Sequence, residues 1–336
     1  MVVVQMKKIL LLSLSIFLAL VATELTVRYV IGYPSYTPGN RQYISSDHLK
    51  DYRTITWKAP YSKFWSVEGG NQVFRYNNIG LPGSDIDTNF DKSIFLLGDS
   101  FIEALQVPNT NTASAVFQDN LIANNRSFNV LNLGSSAHDP FVLWHRSMFF
   151  AQHFRPSTVI LVSESYSTMM LYLKRHTLPL RFYTHDSFGS IIPPNMRKIY
   201  IDRVRSLSAF LTLCTVFKDK RDDTLKQVDD SIAKIPSNPD SISLLFECLE
   251  QFDETYGDKF VFVSLMNDNP HEKELAEFCT NQGIKYFQNN QIMKPYNQIH
   301  GEGHLNEIGN RQLGVYLSKT YMTLYQTDNK LRSLGE

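Results

Sequence analysis

Cysteine is scarce in this chain, and the three present, Cys214, Cys248 and Cys279, stand far apart. They make neither a metal-ligating spacing nor a disulfide framework, and read as buried free thiols. A charge excess is also missing. The 33 basic residues balance 33 acidic ones, and no long basic tract occurs, which argues against nucleic acid as a partner. Internal repeats and low-complexity tracts are absent, which removes repeat architectures from consideration. What is present is core material. With 43% hydrophobic residues over 336 positions, the chain can bury a large interior. Its length allows two domains, but an α/β domain of this size is often single.

The first 32 residues differ from the rest. Lys7 and Lys8 precede an apolar run from Ile9 to Thr23. Ala19 and Ala22 have the wrong spacing for a cleavage site of the A-x-A kind, and Leu20 stands where a small residue belongs. Helical periodicity continues through Leu25, Val27, Val30 and Ile31, and Glu24 and Arg28 are spaced to pair on that helix. The reading is an uncleaved signal anchor over residues 1–32, one helix from Met1 to Ile31, with a cleaved signal peptide as the alternative. The two lysines put the amino terminus in the cytoplasm and the remainder of the chain on the extracytoplasmic side. Residues 33–71, rich in Tyr, Ser, Pro and Trp, read as a linker. Phe74 to Gly83 reads as a strand and turn at the edge of a sheet.

From there, apolar runs and helical patterns alternate. Ile94–Leu97, Phe128–Leu133, Thr158–Val162, Phe260–Val263 and Ile284–Phe287 read as strands. Thr112–Asn124, Pro140–Phe154, Ser241–Phe252 and Glu272–Gln282 read as helices, the last stopped by Gly283. A final helix, capped by Asn306, runs to about Leu324, leaving 325–336 as a tail. The alternation predicts a three-layer α/β/α domain with a mostly parallel five-stranded sheet, flavodoxin-like, over 72–324. Residues 165–240 interrupt the rhythm with Pro179, Pro193 and Pro194 and with Tyr172, Arg175, Arg181, Phe182 and Tyr183. Two readings stand for this insertion: a substrate-binding lid over the carboxyl ends of the strands, or a helical cover for the sheet.

The candidate chemistry lies at the two ends of the domain. Ile94–Leu97 has no alternation, as in a strand buried on both faces, and Gly98-Asp99-Ser100-Phe101 follows at its carboxyl end. Ligands of open α/β sheets bind at those ends. Near the other end stands Gly301-Glu-Gly-His-Leu-Asn-Glu-Ile-Gly309, just before the last helix. With the Gly-Asp-Ser-Phe block opening the domain and the His-Leu-Asn block closing it, the chain resembles the SGNH (GDSL-type) hydrolases over about residues 72–322.

That resemblance implies Ser100 as nucleophile and His304 as general base. Glu302, two residues before His304, is the candidate acid; a Ser–His dyad without a third member is the alternative. For the oxyanion, the resemblance implies the Ser100 N–H, a glycine N–H after the second strand and an asparagine side chain after the third. In Asn132-Leu-Gly-Ser-Ser-Ala137 the glycine position falls on Ala137, with Gly134 as the other alignment. In Leu161-Val-Ser-Glu-Ser-Tyr-Ser-Thr168 the asparagine position falls on Ser167. Losing one such donor costs about 2.7–4 kcal/mol of barrier, so low activity on simple acetyl esters is expected. Asn267-Asp268 follows the fourth strand and reads as loop.

The function implied is a serine esterase or deacetylase acting on an acylated small molecule or glycan of the cell envelope, held at the membrane by its N-terminal helix. An exopolysaccharide O-acyltransferase and a non-catalytic glycan-binding module on the same fold are the alternatives. Neither metal nor cofactor is implied.

Overall fold

The computed structural model describes residues 2–27, 61, 63–66, 72–136, 140–166, 169, 240–300 and 303–334. The chain divides into two compact units: Met1–Pro38 with Ile192–Lys234, and Gly39–Ile191 with Ile235–Glu336. In the first unit the described element is helix α1, Val2–Leu25. Its 24 residues rise about 36 Å at 1.5 Å each. Leu10, Leu11, Leu12, Phe17 and Leu18 on it are exposed. Among the described residues, no helix is long and apolar enough to cross a membrane. Residues 28–31, which the sequence assigns to the same helix, lie outside the described part.

The second unit holds the sheet. Strand β1 (Lys63–Ser66) pairs antiparallel with β2 (Gln72–Arg75) as a separate two-stranded ribbon. β1 falls in the stretch read as linker, and β2 is not at the edge of the main sheet. A four-residue strand whose partner lies just beyond a short connection leaves little periodicity to detect.

The main sheet contains β3 (Ser93–Leu97), β4 (Asn129–Asn132), β5 (Pro156–Ser163), β6 (Phe260–Ser264) and β7 (Lys285–Gln288). All neighbours are parallel, in the order β4-β3-β5-β6-β7. The described α-helices of the second unit are α2 (Ser100–Glu103), α3 (Ala113–Ala123), α4 (Pro140–Ala151), α5 (Asp240–Tyr256), α6 (Glu272–Gln282) and α7 (Glu307–Leu334).

β3, β4 and β6 are buried on both faces throughout, and β5 over its last five residues; β7 is only half-buried. Phe95, Leu97, Leu131, Leu161 and Phe262 point to one core, closed by Phe150 of α4, Leu249 and Phe252 of α5 and Leu275 of α6. Ile94, Leu96, Val130, Ile160 and Val263 point to the other, closed by Phe117 and Leu121 of α3 and Leu313 and Leu317 of α7. Three layers follow, α/β/α, with the unalternating strands that such a sheet requires.

Chain direction locates the crevice. From β3 the chain passes to β4 on one side and then returns to β5 on the other. The order reverses between β3 and β5, and binding crevices in open parallel sheets form at such a switch, outside the carboxyl ends of the strands. Ser100 follows β3 there, and Glu164 follows β5.

The caps agree with the sequence. Thr112 Oγ1 accepts from the Ala115 N–H at 3.2 Å at the start of α3. Asn306 Oδ1 accepts from the Gly309 N–H at 3.0 Å at the start of α7. Gly283, at φ +75°, ends α6. Helix α7 runs to Leu334, beyond the expected end near Leu324, because no glycine or proline stands between Gly314 and Gly335. Cys248 and Cys279 are buried free thiols; Cys214 lies outside the described residues, as do 167–168 and 170–239, the bulk of the expected lid.

Candidate active site

Strand β3 ends at Gly98, and the chain turns at once into α2. Asp99 is its N-cap, with the carboxylate accepting from the Phe101 N–H at 2.9 Å. Ser100 is the first helical residue. The turn is tight because two glycines let α2 approach closely. A Cβ on Gly98 would stand 2.3 Å from Ile102 Cγ1, and one on Gly134, just after β4, would stand 2.4 Å from the Glu103 N. Ala104 closes the short helix in the left-handed region, at φ +55°.

Asn132, at the end of β4, holds this turn from below. Its Nδ2 donates to the Ile102 carbonyl at 2.6 Å and to Ser114 Oγ on α3 at 3.0 Å. Its Oδ1 accepts from the Gly134 N–H at 3.0 Å. Asn132 is fully buried, so each of these bonds replaces one that water would make in the unfolded chain. Asn132→Leu should therefore lower stability by about 1–3 kcal/mol for each buried group left unpaired, with a fall in kcat as α2 loosens, read by denaturant midpoint and steady-state kinetics.

Glu103 ties the same helix to the loop after β4. Its carboxylate accepts from the Ser136 N–H at 2.7 Å and from Ser136 Oγ. Arg146 on α4 is buried, which lowers its guanidinium pKa to about 10; the charge on Glu103 opposes that shift.

His304 comes from the other end of the chain. The loop before α7 is fastened by polar side chains. Gln106 Nε2 donates to the Leu305 carbonyl at 3.1 Å, Asn310 Nδ2 to the same carbonyl at 3.1 Å, and Asn306 Nδ2 to the Tyr296 carbonyl at 2.9 Å. A one-residue bridge pairs Gln298 with Leu305, and the Ile299 N–H donates to the His304 carbonyl at 2.7 Å. The imidazole tilts against Phe101, with ring centroids 5.4 Å apart. Its Nε2 lies 3.0 Å from Ser100 Oγ. Residues 204 positions apart are thus brought into direct hydrogen-bond contact. Nδ1, on the far side of the ring, is buried.

Ser100 and His304 are both half-buried, so the pair is reachable by a ligand. Glu302, Ala137 and Ser167, the candidate acid and the remaining oxyanion positions, lie outside the described residues. Gly134 is described, and its N–H is occupied by Asn132 Oδ1.

Two acids that spacing did not single out also stand at the strand ends. Asp268 accepts from the Tyr166 N–H at 2.9 Å and from Ser165 Oγ at 3.1 Å. A residue in the loop after β6 therefore pins the loop after β5. Glu164 is buried, and burial pushes its carboxyl well above the usual range; the charge of Asp99 and a hydrogen bond with it add to the shift, and Asp268 adds further. Neither role could be found by motif. Both depend on which strands are neighbours, because parallel neighbours bring their carboxyl-end loops together.

Neither a protein-family model nor a curated protein matches the sequence. Solved structures do resemble it. The psychrotrophic esterase EstA from Pseudoalteromonas sp. is 9% identical, at a TM-score of 0.41, over 70% of this chain and 98% of that one. A putative lipolytic protein of the G-D-S-L family from Desulfitobacterium hafniense is 12% identical, at 0.36, over 68% and 99%. A family 3 carbohydrate esterase of Clostridium thermocellum is 12% identical, at 0.36, over 70% and 98%. The domain itself is a five-stranded parallel sheet between helices, with Ser100 after the first strand of that sheet and His304 before the last described helix, the arrangement that the resemblance to the SGNH hydrolases implied.

Proposed function

We propose that this chain is a serine hydrolase of O-acyl esters, with Ser100 as nucleophile and His304 as general base. The 3.0 Å contact between Ser100 Oγ and His304 Nε2 carries the reading. A neutral imidazole at that distance can take the hydroxyl proton as Oγ attacks the acyl carbonyl. The imidazolium then returns the proton to the leaving alkoxide, and the C–O bond of the ester breaks. Water, deprotonated by the same nitrogen, attacks the acyl-enzyme and releases the acid. Glu302 would hold the other ring nitrogen, and Ala137 and Ser167 would complete the oxyanion donors with the Ser100 N–H.

The substrate class is an acetyl or similar small acyl group on a hydroxyl, and the finer reading is a cell-envelope glycan. That refinement rests on the expected signal anchor, with Lys7 and Lys8 before the apolar run from Ile9 to Thr23; the described helix α1 is not by itself long and apolar enough to cross a membrane. Deleting residues 1–32 should move the protein from the membrane fraction to the soluble one while the domain keeps its activity. Recovery of the truncated chain in membranes would remove the anchor.

Hydrolysis of p-nitrophenyl acetate and of acetylated sugars, followed by acetate release, tests the function. Slow but saturable turnover is expected. A folded wild-type chain with no turnover on either substrate would overturn the reading and leave a glycan-binding module.

A further inference from the structure

Glu164 has no part in the acyl chemistry above, yet it is buried beside it. It follows β5 directly, across the switch point from the Ser100 turn, and is 5% exposed. A cavity of about 20 Å³, room for one water, is lined by Glu164 with Asp99, Pro140, Leu143, Leu161 and Met169. The charged groups that act on its carboxyl are both acids, Asp99 from the β3–α2 turn and Asp268 from the loop after β6; its own backbone acts the other way and favours the ionised form, against the larger cost of burial. From α4, which packs over the cavity with Pro140 and Leu143, the charged residue is Arg146, and its field acts with Glu103 and Tyr76. His145, also on α4, is buried, and His271 lies against Tyr166.

Asp99 and Glu164 line the same small cavity. Two carboxyls that share so small and apolar a space are not both ionised. Desolvation is the larger cost for Glu164, and Asp99 already has an N–H to accept from. The proton therefore belongs on Glu164, as with other carboxylic acids kept neutral in apolar sites.

We propose that Glu164 is a positioning residue: its protonated carboxyl donates to the Asp99 carboxylate and so holds Asp99 on the Phe101 N–H, fixing the helix start that aims Ser100 at His304. The kinetic consequence rests on the serine-hydrolase reading; the carboxyl pair does not. Ionisation of Glu164 would set two negative charges against each other and release Asp99 from its capping position.

The stability consequence has a definite sign. The folded state binds the Glu164 proton more tightly than the unfolded chain. This contribution to stability is therefore full below the ordinary carboxyl range and falls as pH rises through the raised folded value. A glutamine keeps an N–H donor toward Asp99 at every pH, whereas an alanine keeps none.

The test compares wild type, Glu164→Gln and Glu164→Ala by hydrogen-exchange protection of the Phe101 N–H and by kcat against pH. Wild type should lose protection and kcat together on the alkaline side. Glu164→Gln should keep wild-type kcat within about twofold at neutral pH and lose the alkaline fall, and Glu164→Ala should lower protection about tenfold and kcat by up to about 10²-fold, the scale of a small misplacement at a reacting centre. Equal Phe101 protection in wild type and both variants would overturn the proposal, and so would an alkaline fall that persists in Glu164→Gln. If Glu164→Ala does not fold, the contrast between wild type and Glu164→Gln across pH still decides. A wild type without turnover would count against the hydrolase reading, while the exchange data would still decide the carboxyl pair.

Discussion

Ser100→Ala should lower kcat on p-nitrophenyl acetate by roughly 10⁴- to 10⁶-fold, the span seen when one member of a nucleophile–base unit is removed. His304→Ala should cost about as much, and the double variant should be no slower than either single one. The reason is the single contact between Oγ and Nε2. A serine without its base is a weak nucleophile, and a base without its serine has no proton to take, so the two losses are one loss counted twice. Additive losses in the double variant would mean that the residues act independently, contrary to the geometry. KM should change little in all three, because neither side chain is needed to hold the ground-state ester.

Gly134→Ala should damage both stability and rate although the residue 134 N–H is already taken by Asn132 Oδ1. The added Cβ would lie 2.4 Å from the Glu103 N and 2.8 Å from the Ile102 C. Both are backbone atoms of α2, so nothing flexible can give way. Either β4 withdraws, loosening the bonds from Asn132 to Ile102 and Gly134, or α2 shifts and carries Ser100 with it. Overpacking of this kind costs about 1–3 kcal/mol, and a shift of the nucleophile near 1 Å costs up to about 10²-fold in rate. Thermal or denaturant unfolding reads the first and kcat the second. Unchanged values for both would show that the β4 loop is less closely packed on α2 than the distances imply.

The central strands were legible because they are buried on both faces. Ile94–Leu97 and Phe260–Val263 are runs that only a covered parallel strand needs, and their alternation with amphipathic helices fixed the layer order. Ser100 and His304 were legible because each sits in a short block with a defined place in that order. The strand partners of the ribbon were not, since Lys63–Ser66 and Gln72–Arg75 are too short for a period to emerge. Asn132 stood in the sequence as part of a block, but its work on Ile102, Ser114 and Gly134 follows from contacts across three elements. Glu164 was silent for the same reason, and Asp268 read only as loop. A buried acid is recognised by its neighbours, and those neighbours come from β3 and β6, far away in sequence. The end of α7 was misplaced because apolar periodicity fades before the helix does.

The central claim is that His304 activates Ser100. A fluorophosphonate probe, with the modified peptide identified by mass spectrometry, tests it most directly. Wild type should become labelled at Ser100, Ser100→Ala should not be labelled, and His304→Ala should be labelled far more slowly. Folded wild-type protein that takes up no probe, or takes it up at another serine, would contradict the account.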